Sequence, residues 1–426
     1  MFYSIAFAPN MIQPNIPELL CFYRQMRRYP ARLNFVNTLF KKFNQLYKTR
    51  NPVINFLHQF TPSGRYALHA ILKEIKDQYP KAKLHGIVPV FTCSSVLDVF
   101  TYHSIPLHFA KIKTNFTYDI SDLEHYLQTR DANEITLILF QHTFGYYIGL
   151  EQQQASLQKF KNIVFIEDLA HNAVLPPTQY THFAFTSFGQ EKFISAEGGG
   201  LLIKKVKHPV SKNASVSQNI PLFTYKDAKR LLKLFLSPFA LKYYNTANLG
   251  KFIVYLLKVT KSINTTPKDF TTSSKALTVL QLYLLNQQLD SIQNTIRHKL
   301  ELQQLYFNLI KKVKHPGNSQ KTLLSPTYPR DQIRGIPLLR FPIYSNKYQC
   351  IQKLAKRSHI QIGTWYRNGL IVDGQDAHKN VQRILAKNPQ YHWMSGHILQ
   401  LPLHPNFPLK KAKDLVGIIK RCYNDN

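Results

Sequence analysis

Short apolar runs rich in β-prone residues recur between residues 86 and 203, and helix-forming segments separate them. The runs cover residues 86–91, 105–112, 135–140, 162–166, 183–186 and 200–203. Several consist almost entirely of Val, Ile, Leu and Phe, which indicates strands that are buried on both faces. Helical patterns at 121–129 and 150–159 lie between them. The alternation predicts an α/β fold with a mostly parallel central sheet, and sites at the carboxyl ends of its strands.

The pattern changes after residue 204. Residues 207–219 are polar, and residues 227–262 alternate basic side chains with Leu, Phe and Tyr, so we expect an irregular basic insertion at about 207–265. Residues 276–312 predict one or two long helices, and strand-like and helical runs then alternate. The expected organisation is an N-terminal helical segment (1–50), a large domain (51–275), and a long helix with a smaller C-terminal α+β domain (276–426).

The composition is that of a globular, strongly basic protein. Of 426 residues, 44% are hydrophobic and 18% charged, and 55 Lys and Arg against 23 Asp and Glu give a net charge of +32, which attracts anions. Cys21, Cys93, Cys350 and Cys422 are widely separated, so we expect neither a disulfide framework nor a zinc site, and favour a reducing compartment. Neither a secretory signal nor a spanning segment is visible, so we expect a cytoplasmic protein.

Two neighbouring segments carry the strongest chemical signal. In VFIEDLAH (164–171) an apolar strand ends in Asp168, and His171 follows. In FTSFGQEK (185–192) a strand ends in Ser187, Lys192 follows five positions later, and the glycine-rich AEGGG (196–200) comes next. A lysine that condenses with an aldehyde, a carboxylate that keeps a pyridine nitrogen protonated, and donors for a phosphate are the parts of a pyridoxal phosphate (PLP) site. The spacing therefore predicts a PLP site without a metal.

At these residues the chain resembles the DegT/StrS family of sugar aminotransferases, fold-type-I PLP enzymes that carry E-D-x-A-[QH], then S-F-x-x-x-K, then a Gly-Gly segment. Weaker matches at 63–68, 89–92, 141–145, 280–281, 288–289 and 401–405 extend the resemblance over nearly the whole chain. The resemblance implies a large domain with a mostly parallel central sheet flanked by helices, and a smaller C-terminal α+β domain.

The resemblance also implies roles for three side chains at the reacting end of the coenzyme. Lys192 would condense with the aldehyde and, once freed by the amino donor, move the proton between the two reacting carbons. Asp168 would pair with the pyridine nitrogen and have a low pKa beside that cation. His171 would lie near the phenolic oxygen, where the family has Gln or His.

At the phosphate end, the resemblance implies that Ser187 and the amides of Gly64 and Arg65 bind the anion at a helix N-terminus. Arg65 replaces the family's Thr, and a guanidinium suits a phosphate.

Other positions depart from the family pattern. Cys93 stands where the family often has an aromatic residue stacked on the coenzyme, with Phe91 two residues before it. Ser274 and Ala276 correspond to the Asn and Arg that the family sends across its dimer interface, and Lys275 is a candidate replacement for the cation. The histidine in a turn at His142 is a weaker functional candidate.

The family implies an aminotransferase that moves an amino group from glutamate to a keto sugar, nucleotide-linked, in the synthesis of cell-surface polysaccharide or a related glycan. It also implies a homodimer in the cytoplasm. One alternative is a PLP-dependent sugar dehydratase, in which the lysine is replaced by His. Another is a PLP-fold protein that has lost catalysis and binds an anionic membrane or nucleic acid through its basic surface.

Residues 227–262 leave three hypotheses open. Their apolar side chains pack on the body or on a subunit partner, which we favour, or an amphipathic helix makes peripheral contact with an anionic membrane. Nucleic acid is the third, and we expect no such partner because no nucleic-acid motif is present.

Overall fold

The computed structural model describes residues 14–48, 55–131, 133–146, 150–206, 220–243, 249–260, 277–313, 324–326, 334–365, 386 and 388–424. Its central sheet has seven strands in the order β1-β7-β6-β5-β4-β2-β3. The strands are β1 (Asn55–Thr61), β2 (Leu84–Pro89), β3 (Leu107–Ala110), β4 (Ile135–Gln141), β5 (Ile163–Asp168), β6 (Phe183–Ser187) and β7 (Gly200–Val206).

Five adjacent strands of this sheet, β6, β5, β4, β2 and β3, are parallel, while β7 pairs antiparallel with both β6 and β1. The mostly parallel sheet predicted from the apolar runs is therefore confirmed. Strand β1 is an addition to the prediction: its sequence, NFLHQFT, has no continuous apolar run, and it lies at the edge of the sheet.

Helices cover the sheet and complete the amino-terminal part of the fold. They are α1 (Ile16–Gln25), α2 (Tyr29–Lys48), α3 (Gly64–Gln78), α4 (Ser94–Tyr102), α5 (Ile120–Gln128), α6 (Leu150–Leu157), α7 (Tyr225–Lys242), α8 (Leu249–Val259), α9 (Val279–Asp290) and α10 (Ile292–Ile310). Of the one or two long helices predicted over 276–312, the structure has two, α9 and α10, which meet at Ser291. Buried residues of α1, α2 and α9 share one apolar cluster with β7.

The predicted irregular insertion is wrong at Tyr225–Lys242 and at Leu249–Val259, which form α7 and α8. Helix α7 begins with a capping box, in which the Thr224 amide donates to an oxygen of Asp227 2.8 Å away, and its apolar residues recur at helical spacing. Leu234 and Ala240 turn inward and are buried. In the part of the chain that the structure describes, no helix is long and apolar enough to cross a membrane.

A second sheet of three antiparallel strands, in the order β10-β9-β8, lies in the segment predicted as the smaller domain. Its strands are β8 (Leu324–Pro326), β9 (Phe341–Ser345) and β10 (Ile398–Leu401), and its helices are α11 (Tyr348–Arg357), α12 (Pro389–His397) and α13 (Leu409–Asn424). The expectation that the cysteines form no disulfide is wrong for one pair, because a bond joins Cys350 on α11 to Cys422 on α13. The two positions are 72 residues apart, so local spacing could not reveal the pair.

Candidate active site

The carboxyl ends of β4, β5 and β6 lie side by side and carry polar residues. Gln141, the last residue of β4, pairs in register with Asp168, the last residue of β5, and Asp168 also pairs with Phe185 of β6. Ser187 ends β6 two residues later. Parallel strands thus bring the two predicted motifs to one edge of the sheet, as the sequence predicts.

Asp168 is 6% exposed, and its Oδ1 accepts a hydrogen bond of 2.8 Å from the Ala170 amide. Burial raises the pKa of this carboxyl, while the Ala170 amide and the charges of Lys192 and His142 act in the opposite direction. The low pKa expected from the resemblance therefore requires a further cation, because the protein's own groups do not overcome the effect of burial.

Lys192 lies in the turn that follows β6. Burial lowers the pKa of its amine, and the charges of Cys93, Asp168 and Glu191 partly offset that effect. Lys192 and Asp168 are thus close enough for the charge of each to act on the pKa of the other. The turn is held from α9, where the Gln288 carboxamide oxygen accepts a 2.9 Å hydrogen bond from the Ser195 amide.

Ser187 lies against the N-terminus of α3. A Cβ added to Gly64, the first residue of that helix, would lie 2.8 Å from the Ser187 Cβ and 3.3 Å from its Oγ, so only glycine permits this approach. Ser63 caps the helix by accepting a 3.1 Å hydrogen bond from the Tyr66 amide. Gly200 of β7 packs as tightly on the same turn, since its added Cβ would lie 2.7 Å from the Gly64 nitrogen.

Arg65 directs its guanidinium away from α3 and toward α4. One of its nitrogens donates to the Ser95 hydroxyl at 2.8 Å and lies 3.2 Å from an oxygen of Asp98. The N-terminal turns of α3 and α4 are therefore neighbours, and Cys93, the residue before α4, is close enough to act on Lys192. A role of Arg65 in binding a phosphate stays a prediction. Because the guanidinium is directed to α4, the backbone amide of Arg65 is the group that would face the anion.

His171 is buried beside the same edge of the sheet. Its Nδ1 lies 3.0 Å from the Phe144 amide, which can only donate, so Nδ1 is the acceptor and Nε2 carries the hydrogen of the neutral ring. Burial and the charges of Lys192 and Arg340 hold the pKa of His171 well below its ordinary value. Phe144 itself has a φ of 56°, an unusual backbone conformation for a residue with a side chain.

His142 and Glu167 form a buried pair behind Asp168. The His142 Nε2 lies 2.9 Å from a Glu167 oxygen, and its Nδ1 lies 3.1 Å from the Tyr146 carbonyl oxygen. Burial alone would raise the pKa of Glu167, but hydrogen bonds from His142, Thr178 and Thr181 lower it. His142 directly follows β4, and its side chain binds the carboxylate next to Asp168.

Two side chains at the site were missed by the sequence analysis. The Trp365 ring stacks on the His171 ring at 5.3 Å, and the Lys192 Nζ lies 5.4 Å from its centroid. Arg340 donates to an oxygen of Glu191 at 2.8 Å. Glu191 and Arg340 are 149 positions apart and belong to no periodic pattern, so no sequence signal could have identified the contact.

The residues at which the chain departs from the family pattern are described only in part. Phe91 is fully buried and stacks on Phe116, with ring centroids 5.4 Å apart, whereas the Cys93 thiol is exposed. Ser274, Lys275 and Ala276 lie outside the described residues.

Comparison with known proteins gives a fold but no close relative. No protein-family model matches the chain, and no curated protein matches it. Helicobacter pylori PseC, an aminotransferase involved in the biosynthesis of pseudoaminic acid, matches over 100% of both chains with a TM-score of 0.66 and 12% identity.

Two further solved structures match over nearly the full length. A putative sugar aminotransferase from Streptococcus pneumoniae, in its PLP form, has a TM-score of 0.63 and 16% identity over 99% of both chains. A DegT DnrJ EryC1 StrS aminotransferase from Brucella abortus has a TM-score of 0.57 and 15% identity, covering 94% of this chain and 97% of its own. The chain thus has the fold of these sugar aminotransferases over nearly its whole length, and the predicted fold class is confirmed.

Proposed function

We propose that the protein is a PLP-dependent aminotransferase that moves an amino group from an amino acid, with glutamate as the donor, to a keto sugar. One observation carries the proposal. A half-buried lysine, a buried carboxylate and a helix N-terminus beside a hydroxyl lie together at one edge of the sheet, in Lys192, Asp168, Gly64 and Ser187.

These residues fit PLP in charge and in shape. Burial raises the pKa of the Asp168 carboxyl and so disfavours its charged form. A cation beside it, such as a protonated pyridine nitrogen, would stabilise the carboxylate. The N-terminus of α3 and the Ser187 hydroxyl offer hydrogen-bond donors for a phosphate, and Gly64 leaves the backbone accessible. Burial lowers the pKa of Lys192, which favours the neutral amine that condenses with an aldehyde.

When bound, PLP supplies an aldehyde that accepts the amino group and a ring that withdraws electrons from the adjacent carbon. The protein's own groups do the rest. Asp168 holds a proton on the ring nitrogen, and the Nε2–H of His171 is available to donate to the phenolic oxygen. Lys192 would take a proton from the donor carbon that bears the amino group and deliver it to the coenzyme carbon that carried the aldehyde. The Trp365 ring stacks on His171 and lies 5.4 Å from the Lys192 Nζ, so it forms one wall beside both groups.

The finer parts of the proposal concern the acceptor and the assembly. A nucleotide-linked sugar is favoured because its phosphates suit a chain with a net charge of +32. We further propose a cytoplasmic homodimer that contributes to the synthesis of cell-surface polysaccharide or a related glycan, in agreement with the family resemblance.

The deciding experiment loads the purified protein with PLP, reduces it with borohydride and locates the label by peptide mass mapping. We expect the label on Lys192. The matched control is Lys299, another lysine whose pKa is lowered by burial, since a merely reactive amine would be labelled there as well. Label on Lys299 alone, or none on Lys192, contradicts the proposal.

A second measurement separates the proposed activity from the two alternatives. Glutamate added to the loaded protein should convert the coenzyme to its amine form and release 2-oxoglutarate, and a screen of keto nucleotide sugars should then regenerate the aldehyde. A protein that binds PLP at Lys192 but reacts with no amino donor has lost catalysis. A protein that removes a sugar hydroxyl without net amino transfer is a dehydratase.

A further inference from the structure

Helices α7 and α8 pack on each other and display large apolar side chains to solvent. On α7, Tyr225, Leu232 and Phe239 recur every seven residues and are exposed. On α8, Phe252, Tyr255 and Val259 recur every three or four residues and are also exposed, with 64% of Tyr255 accessible. We call these six residues the α7–α8 face. Helical residues at such spacings share one side of their helix, so each helix has an outward apolar stripe.

The inner side of α7 is fixed to the body of the protein by polar contacts. The Arg230 Nε donates to the Glu197 carbonyl oxygen at 3.1 Å, and Lys233 forms a buried ion pair with the Glu197 carboxylate. Asp227 accepts a 2.8 Å hydrogen bond from the Thr278 hydroxyl. Part of the charge of α7 therefore turns inward with Leu234, while Tyr225, Leu232 and Phe239 turn outward, whereas an ordinary surface helix keeps its charges on the solvent side. Such a surface marks an interaction site.

The charge around the α7–α8 face is almost entirely positive. Residues 220–260 contain seven Lys and Arg and one acidic residue, Asp227, which is fully buried. Lys226, Lys242 and Lys251 are exposed on the same two helices. The Lys229 Nζ lies 4.7 Å from the centroid of the Tyr225 ring. Aromatic and aliphatic side chains flanked by lysines are the composition of helices that lie in the interface of an anionic bilayer.

We propose that the α7–α8 face docks on an anionic lipid surface, with its apolar side chains among the acyl chains and its lysines at the headgroups. A second copy of the chain fits less well, because a two-fold contact would oppose two strongly positive surfaces. Nucleic acid would neutralise the lysines but leave the Leu, Val and Phe side chains without apolar contacts. The docking surface goes beyond the proposed enzymatic function and does not depend on it.

The test is co-sedimentation of the full-length protein with vesicles of phosphatidylcholine alone or of phosphatidylcholine with phosphatidylglycerol. We expect binding to the mixed vesicles, weak binding to the neutral ones, and release at high salt. Tyr255→Glu should lower the partition coefficient by about tenfold or more, because it removes an apolar contact and adds a repelled charge. Lys251→Glu should lower it by a similar factor.

Two matched variants control for the chemistry of these changes. Tyr79→Glu alters another exposed tyrosine, at the end of α3, and Lys81→Glu alters another exposed lysine. Both should bind vesicles like the parent protein. Circular dichroism verifies that all four variants are folded. Release of the unaltered protein from anionic vesicles at high salt tests the same contact without any variant.

Three outcomes would overturn the proposal. The unaltered protein could fail to bind anionic vesicles, or Tyr255→Glu could bind as well as Tyr79→Glu. Alternatively, Tyr255→Glu could halve the molar mass measured by light scattering while the parent protein does not bind vesicles. That result would show that the α7–α8 face is a subunit interface. None of these measurements uses amino transfer, so the proposed enzymatic function is tested separately.

Discussion

The guanidinium carbon of Arg340 lies 3.5 Å from the centroid of the Trp365 ring. Arg340 is also ion-paired with Glu191, the residue before Lys192. The ring of His171 also stacks on Trp365, with the two ring centroids 5.3 Å apart. A side chain from the C-terminal part of the chain is thereby held over the two groups that we propose to handle protons.

We predict that Arg340→Lys loosens Trp365, because an ammonium cannot stack on the ring as a planar guanidinium does. In a Trp393→Phe background Trp365 is the single tryptophan, so its emission should move to longer wavelength. The KM for the amino acceptor should rise about fivefold, with a smaller change in kcat, because Arg340 positions a wall of the site. Arg357→Lys, at an exposed position, serves as the control, and an unchanged emission would refute the stacking role.

The buried pair of His142 and Glu167 predicts a stability effect. Glu167→Gln should lower the free energy of unfolding by about 3–5 kcal/mol, because it removes the anion that accepts the His142 hydrogen bond. His142→Gln combined with Glu167→Gln should cost less than the sum of the two single changes, as measured by urea unfolding. Strict additivity would show that the pair does not act as a unit.

The same pair predicts a pH dependence at the acid end. The pKa of Glu167 is lowered in the folded protein, so its stabilisation is complete above its ordinary pKa and is lost as the pH falls through the lowered value. Urea unfolding of the parent protein between about pH 6 and pH 3 should therefore lose stability more steeply than that of Glu167→Gln.

Lys299 predicts a further rise of stability with pH, at the alkaline end of the range. Burial lowers the pKa of this amine to about 7, and its Nζ donates to the Leu403 carbonyl oxygen at 2.8 Å. Above that pH the unfolded chain binds the proton more strongly than the folded one, so stability should rise with pH, by up to about 1.4 kcal/mol per unit. Lys299→Met should remove this rise, as measured by the free energy of unfolding in urea at pH 7.5 and pH 9.5. Lys312→Met, at an exposed lysine, should retain it.

The Cys350–Cys422 bond closes a long loop between α11 and α13. Cys350→Ser with Cys422→Ser should lower the free energy of unfolding by about 2–4 kcal/mol, because the unfolded chain gains freedom. The parent protein in reductant should unfold like this variant. Cys21→Ser, which changes an exposed free thiol, should have no effect, and equal stability of all forms would refute a structural role for the bond.

Local patterns predicted the elements that each bury their own apolar run. Strands β2 to β7 and the residues at their carboxyl ends follow from continuous runs of Val, Ile, Leu and Phe, and the spacing of Asp168, Ser187 and Lys192 brought the expected residues to one edge. Strand β1 is amphipathic and gave no such run. The lysines of α7 and α8 interrupt the apolar pattern, so the pattern predicts an irregular segment where the two helices lie.

Contacts between distant segments could not be predicted in this way. Arg340 and Trp365 lie beyond residue 330 in the sequence but contact each other at the site. Cys350 and Cys422 lie on α11 and α13, and only the packing of these helices brings them together. Each of these depends on how the C-terminal part folds back, which no spacing within a single segment records.

The close approach of Gly64 to Ser187 limits how this pocket could be re-engineered. Even a methyl group at residue 64 would force apart the two elements that hold the proposed anion, so a mutant library that varies this position would consist largely of inactive clones. Substrate range would have to be altered from the opposite wall, where Trp365 is only partly buried and a smaller ring would open space without disturbing the sheet.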